Sequence, residues 1–229
     1  MRQLFAIFLF VMMLSMVNAE ITLETFTAND GTSFRYALLV PDDFDSSQTY
    51  PVLLALPPGD QSIRMVEAGL GYWFGGEQLG WVIISPEAPN GQSFYSGSEK
   101  YIPELLIELK AKIKFENNTV HLAGVSNGGR SAFRLALDYS ELFSSILAIP
   151  GFPPEEPDLE NLENLKNYNI AMFAGEKDSL WVAKMQETAA ILKSIGVNAS
   201  ATVEQGQGHV MQTLDTEMLF EILEGFRAK

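Results

Sequence analysis

Ser126 stands between two glycines in a segment that changes period around it. The residues before it, TVHLAGV, form an apolar, β-branched run, and those after it, NGGRSAFRLAL, put Ala132, Leu135 and Ala136 on one helical face. A strand must therefore become a helix across Gly124-Val125-Ser126-Asn127-Gly128, with almost no chain to spend on the turn. So sharp a turn presses neighbouring backbone segments together, and glycine at both flanks removes side chains that would collide. Strand, G-x-S-x-G and helix in that order is the setting in which a serine hydroxyl is lifted clear of a sheet at a helix N-terminus.

The rest of the chain has the same rhythm. SFRYALLV and YPVLLAL read as strands separated by turn residues around Pro41 to Gln48. GWVIISP, NTVHLAGV, FSSILAIPGF, YNIAMFAG and NASATVEQG read as further strands, several of them nearly continuous apolar runs of the kind buried on both faces. YIPELLIELKAKI, NGGRSAFRLALDYS, LWVAKMQETAAILKSIG and DTEMLFEILEGFRAK read as helices. Alternation of this kind predicts an α/β fold with a mostly parallel central sheet and helices on both faces. The two leading strands have no helix between them and are expected to pair as an antiparallel edge. No linker interrupts the pattern, so residues 20–229 are expected to form a single domain. PGFPPEEPDLEN is expected to be a surface loop that overhangs the site.

The first residues follow another logic. Arg2 precedes an apolar run shorter than the ~20 residues a spanning helix needs, and Val17-Asn18-Ala19 supplies small residues for cleavage. A signal peptide over residues 1–19, cleaved after Ala19, is expected, with the mature protein secreted or periplasmic and not stably inserted in a membrane. The chain has no cysteine, which excludes disulfides and thiol chemistry. Its formal charge of -14 argues against nucleic acid, anionic membranes and polyanionic substrates, and leaves neutral ones.

A serine hydroxyl needs a base to take its proton, and the chain has only two histidines. His121 lies inside the strand before the turn and reads as structural. His209, in the Gly-rich EQGQGHVMQ between the last strand and the last helix, is the candidate base. The base in turn needs a carboxylate to hold its tautomer. Asp178, past the end of a strand in FAGEKDSLWV, is the first candidate, Glu176 the second and Asp215 the third. An oxyanion forming at the attacked carbon needs two N–H donors, one from the residue after the nucleophile, Asn127. The other is expected from the loop Leu56-Pro57-Pro58-Gly59-Asp60-Gln61. Prolines carry no N–H, so Gly59 is the first donor available there and Asp60 the alternative.

These residues resemble those of α/β-hydrolase-fold serine esterases. The similarity runs from about Tyr50 to the last helix and rests on LPPGDQ, GWVIISPEAP, VHLAGVSNGGRSAFRLALDYSELFSSILAIPG, GEKD and GHV. The Ser-Asn-Gly-Gly turn is similar to that of polyhydroxybutyrate depolymerase-like, feruloyl esterase-like and carboxylesterase/phospholipase-like enzymes. The resemblance implies a sheet of about eight strands, serine acyl chemistry without a cofactor or metal, Ser126 as nucleophile, Asp178 as acid and His209 as base. The chain departs from many such enzymes in carrying Pro57-Pro58 where they carry His-Gly. Too short for a large lid domain, it is expected to act on small or extended neutral esters rather than at lipid interfaces. A peptidase, a thioesterase or a non-catalytic binding protein would fit the same scaffold. Tyr72, Trp73, Phe152 and Trp181 are aromatic candidates for the pocket wall.

Overall fold

The computed structural model describes residues 22–228, so the expected signal peptide lies outside the described residues. The elements run β1 (Thr22–Thr27), β2 (Ser33–Leu39), β3 (Thr49–Tyr50), β4 (Val52–Leu56), α1 (Ile63–Gly69), β5 (Val82–Pro86), α2 (Ile102–Lys110), β6 (Lys114–Phe115), β7 (Val120–Val125), α3 (Asn127–Asp138), β8 (Phe143–Ile149), β9 (Asn169–Gly175), α4 (Ser179–Ser194), β10 (Asn198–Glu204) and α5 (Thr216–Arg227). Eight strands form one sheet in the order β1-β2-β5-β4-β7-β8-β9-β10. All neighbours from β5 to β10 are parallel, while β1–β2 and β2–β5 are antiparallel.

The continuous apolar runs are explained by a sheet covered on both sides. Along β4, Val52, Leu54 and Leu56 enter one core and Leu53 and Ala55 the other, as strand alternation requires. The first core takes Leu105, Leu106 and Leu109 of α2, Ala132, Leu135 and Ala136 of α3, and Met185, Ala189 and Leu192 of α4. The second takes Val66 of α1 and Leu219, Phe220 and Leu223 of α5. Each large side chain buried this way stabilises the fold by about 1.5–3 kcal/mol.

The antiparallel edge is present, with different partners from those the chain order suggests. β2 pairs with β1 and β5 and not with the strand that follows it, because β4 is already bonded to β5 on one side and β7 on the other. Pro51 divides YPVLLAL into the short β3 and the central β4. The segment after β8 runs on past its prolines into a 3₁₀ helix, Glu156–Leu165, tied down by Asp158 and the buried Leu162 and Leu165.

Candidate active site

β7 ends at Val125 and α3 begins at Asn127, so Ser126 makes the turn alone. Its φ of 56° and ψ of -116° form a strained conformation for a residue with a side chain, costing on the order of 1–3 kcal/mol. The surroundings enforce it. The Ser126 N–H donates to the Ile149 carbonyl at 3.0 Å, and the Arg130 N–H donates to the Ser126 carbonyl at 3.2 Å. A Cβ on Gly124 would lie 2.2 Å from the Gly128 carbonyl, and one on Gly128 would lie 2.0 Å from the Leu56 carbonyl oxygen. Backbone is packed on backbone there, so nothing flexible can yield. Ser126 is left at the N-terminus of a 12-residue helix, whose first N–H groups favour negative charge.

His209 arrives from the loop between β10 and α5. Three contacts set that loop. The Lys177 N–H donates to the Gln207 carbonyl at 3.0 Å, the Tyr72 hydroxyl to the Met211 carbonyl at 3.1 Å, and the Gly206 N–H to Glu176 Oε2 at 2.9 Å. The loop also crosses the end of β9 so closely that a Cβ on Gly175 would sit 2.1 Å from the Gly208 carbonyl oxygen. His209 Nε2 lies 2.8 Å from Ser126 Oγ, and its Nδ1 is hydrogen-bonded to Asp178 Oδ2. With the Nδ1–H donating to the carboxylate, Nε2 is the free acceptor that faces the serine hydroxyl.

The three carboxylates considered from sequence have separate partners. Asp178 occupies the N-cap position of α4 but its side chain makes no capping bond, so it is left for His209. Glu176 accepts from Gly206, and Asp215 caps α5 through the Met218 N–H. His121 is buried between β4 and β8, 2.7 Å from Ser145 Oγ and edge-on to Trp81. Burial, helped by the Arg227 charge, lowers its pKa to about 4.

The loop after β4 meets the turn through the Asn127 side chain, whose Nδ2 donates to the Gly59 carbonyl at 2.9 Å. Residues 59 and 127, the two expected N–H donors, are thereby neighbours. They border a cleft of about 360 Å³ lined also by Asp60, Gln92, Ser93 and Tyr95. Asp60 accepts from the Ser62 N–H and hydroxyl, which holds its carboxyl below the usual range.

One positioning residue escaped the sequence reading. Gln61 is fully buried in a left-handed backbone conformation. Its Nε2 donates to the Pro57 carbonyl at 3.0 Å and Ser131 Oγ at 2.9 Å, and its Oε1 accepts from the Phe94 N–H at 2.8 Å. It therefore ties the Gly59 loop to α3 and to the cleft wall. The only signal was a polar residue closing a Pro-Pro-Gly turn.

Two of the four aromatic candidates reach the site. Trp181 lies edge-on to His209, with ring centroids 5.0 Å apart, and Phe152 packs on Trp181 at 4.9 Å. Arg130, stacked on Tyr95 at 4.4 Å, donates to the Pro154 carbonyl at 2.9 Å and so anchors the loop bearing Phe152. Tyr72 acts only through Met211, and Trp73 is buried in the core. Among the described residues, no group of three His, Cys, Asp or Glu is placed to hold a metal ion, and no helix is long and apolar enough to cross a membrane.

No family model and no curated protein matches the chain. Solved structures do. A thermostable esterase superposes with a TM-score of 0.71 at 18% identity, over 91% of this chain and 62% of its own. A putative dipeptidyl aminopeptidase IV from Bacteroides ovatus gives 0.69 at 17%, over 92% of this chain and 36% of its own. An S-formylglutathione hydrolase from Agrobacterium tumefaciens gives 0.65 at 17%, over 90% and 94%. The chain thus spans less than two thirds of the length of the first two.

Proposed function

We propose that this chain, which has the α/β-hydrolase fold, is a secreted serine hydrolase that cleaves carboxylic esters through an acyl-enzyme. The observation that carries the reading is the line of three side chains: Ser126 Oγ 2.8 Å from His209 Nε2, and His209 Nδ1 bonded to Asp178. A strained turn at the serine supports it, since strain of this kind is retained where a side chain must be presented.

The steps follow from the groups present. His209 Nε2 takes the Ser126 proton as Oγ attacks the ester carbonyl carbon. The carbonyl π pair moves to oxygen, and the resulting oxyanion is stabilised by the backbone N–H groups of Asn127 and Gly59. Asp178 steadies the imidazolium. As the tetrahedral intermediate collapses, the C–O bond to the alcohol breaks and His209 protonates the departing oxygen. Water, deprotonated by His209, then attacks the acyl-enzyme, and the acid leaves as Ser126 regains its proton. The wall formed by Trp181 and Phe152 and the polar cleft beside Gly59 offer unlike surfaces to the two halves of an ester. The same chemistry on an amide is the second reading, favoured by the likeness to the aminopeptidase structure.

Ser126→Ala tests the proposal. Hydrolysis of a short-chain aryl ester is expected to fall to background with the circular dichroism spectrum unchanged. Activity near the wild-type level would remove Ser126 from the reaction. Export is tested separately by N-terminal sequencing of the secreted protein, which is expected to begin at Glu20.

A further inference from the structure

The loop that brings Gly59 to the site is held unevenly. Its two ends are rigid. A Cβ on Gly128 would lie 2.0 Å from the Leu56 carbonyl oxygen and 2.8 Å from that of Pro57, so α3 packs directly on the start of the loop. The buried Gln61 pins the other end to the Pro57 carbonyl and to Ser131 of α3. Between these points the Gln61 N–H donates to the Pro58 carbonyl at 3.0 Å and closes a β-turn with Gly59 and Asp60 at its tip. Gly59 has a φ of 60°, and Asp60 is not among the residues with positive φ. That combination is a type II′ turn, which explains glycine at its first central position.

The tip has no such support. Gly59 and Asp60 are both exposed, and a glycine backbone is the least restricted of any residue. The bonds of Asp60 to Ser62 stay within the loop. Among the described residues, the only hydrogen bond that joins the tip to α3 runs from Asn127 Nδ2 to the Gly59 carbonyl, at 2.9 Å.

That bond also separates the two candidate donors. In a trans peptide the C=O and the following N–H point in opposite directions. With the Gly59 carbonyl turned to Asn127, the Asp60 N–H is turned away from it. The Gly59 N–H belongs to the preceding peptide and has no acceptor among the described residues. The Asn127 N–H, first in α3, is likewise without an intrahelical partner.

We propose that the Asn127 side chain is the positioning residue of the oxyanion site. Its amide holds the tip of the 57–61 loop so that the Gly59 N–H stands beside the Asn127 N–H, and it selects Gly59 over Asp60. One residue thus supplies one donor from its backbone and sets the other through its side chain. This role rests on the serine-hydrolase reading above.

Kinetics of the full-length protein on an aryl ester test this. Asn127→Ala removes the tether and keeps both backbone donors. Its kcat is expected to fall about tenfold with KM within about threefold, because a donor displaced by about 1 Å loses part of the ~10²–10³ it can supply. Asn127→Asp keeps the shape but sets an acceptor against the Gly59 carbonyl, and kcat is expected to fall about 10²-fold. An acid in the first turn of a helix is stabilising, so the thermal midpoint of Asn127→Asp is expected at or above that of the wild type. Activity and stability then move in opposite directions, which a merely structural asparagine would not produce. An aryl trifluoromethyl ketone forms the tetrahedral oxyanion when Ser126 Oγ adds to its carbonyl carbon and the proton passes to His209. Its affinity for each variant is expected to fall by the same factor as kcat/KM. Wild-type kcat in Asn127→Ala, or a loss carried by KM alone with the ketone bound as before, would overturn the proposal and leave Ser126 chemistry in place. A wild-type protein without Ser126-dependent hydrolysis would overturn the serine-hydrolase reading and this proposal with it.

Discussion

The indole of Trp181 meets the imidazole of His209 edge-on, with centroids 5.0 Å apart and planes inclined at 63°. His209 is otherwise an exposed side chain on a loop, held at its two ring nitrogens by Ser126 and Asp178. Trp181 supplies the third contact of the ring. Trp181→Ala is expected to lower kcat/KM by about tenfold or more, because displacing a reacting group by about 1 Å can cost on the order of 10² in rate. Steady-state kinetics on an aryl ester, with thermal unfolding as control, reads this effect.

The carboxylates differ sharply in expected cost. Asp178→Asn offers the histidine an amide that does not stabilise the imidazolium and favours the wrong tautomer, so kcat is expected to fall by about 10³–10⁴. Glu176→Gln changes a bond to Gly206 and Asp215→Asn a helix cap, and each is expected to leave kcat within about threefold, as surface changes commonly do. Comparison of kcat for the three variants decides between them.

Gly175 couples stability to the site. Its missing side chain admits the Gly208 carbonyl, next to His209. Gly175→Ala forces that backbone outward, at about 1–3 kcal/mol for overpacking. Denaturant unfolding is expected to show that loss, and activity is expected to fall by more than unfolding alone explains.

His121 predicts an acid limb to stability. Its pKa falls from 6.5 to about 4 on folding. Between those values the unfolded chain binds a proton that the folded chain refuses, so stability drops as pH falls from 6.5 to 4 and levels below. A shift of this size corresponds to about 3 kcal/mol. His121→Gln is expected to lose that component, so its urea midpoint should fall less steeply than the wild type over this window. Parallel curves would show that the folded and unfolded states titrate alike at this residue.

Much of this was legible in sequence because the informative residues are local. The turn around Ser126 announces itself by adjacent glycines, and apolar runs with helical spacing between them predict a two-faced parallel sheet. Asp178 could be ranked first only by its place after a strand. What separates it from Glu176 and Asp215 is which carboxylate already has a backbone partner, a property of distant chain segments. Strand pairing at the β2 edge was hidden for the same reason, since β4 is claimed by β5 and β7. Gln61 acts through a contact with a residue 70 positions away, and the Pro-Pro-Gly turn before it was its one signal. Trp181 could be named as an aromatic candidate for the pocket wall, but its contact with His209, 28 positions on, is set by the fold.

Labelling with a fluorophosphonate tests the central claim most directly, because it requires an activated serine and nothing of the substrate. Intact mass spectrometry of the folded protein should show one adduct, peptide mapping should put it on Ser126, and His209→Ala should slow its formation by orders of magnitude. A folded protein that takes no label, or one whose Ser126→Ala variant labels at the wild-type rate, would contradict the assignment.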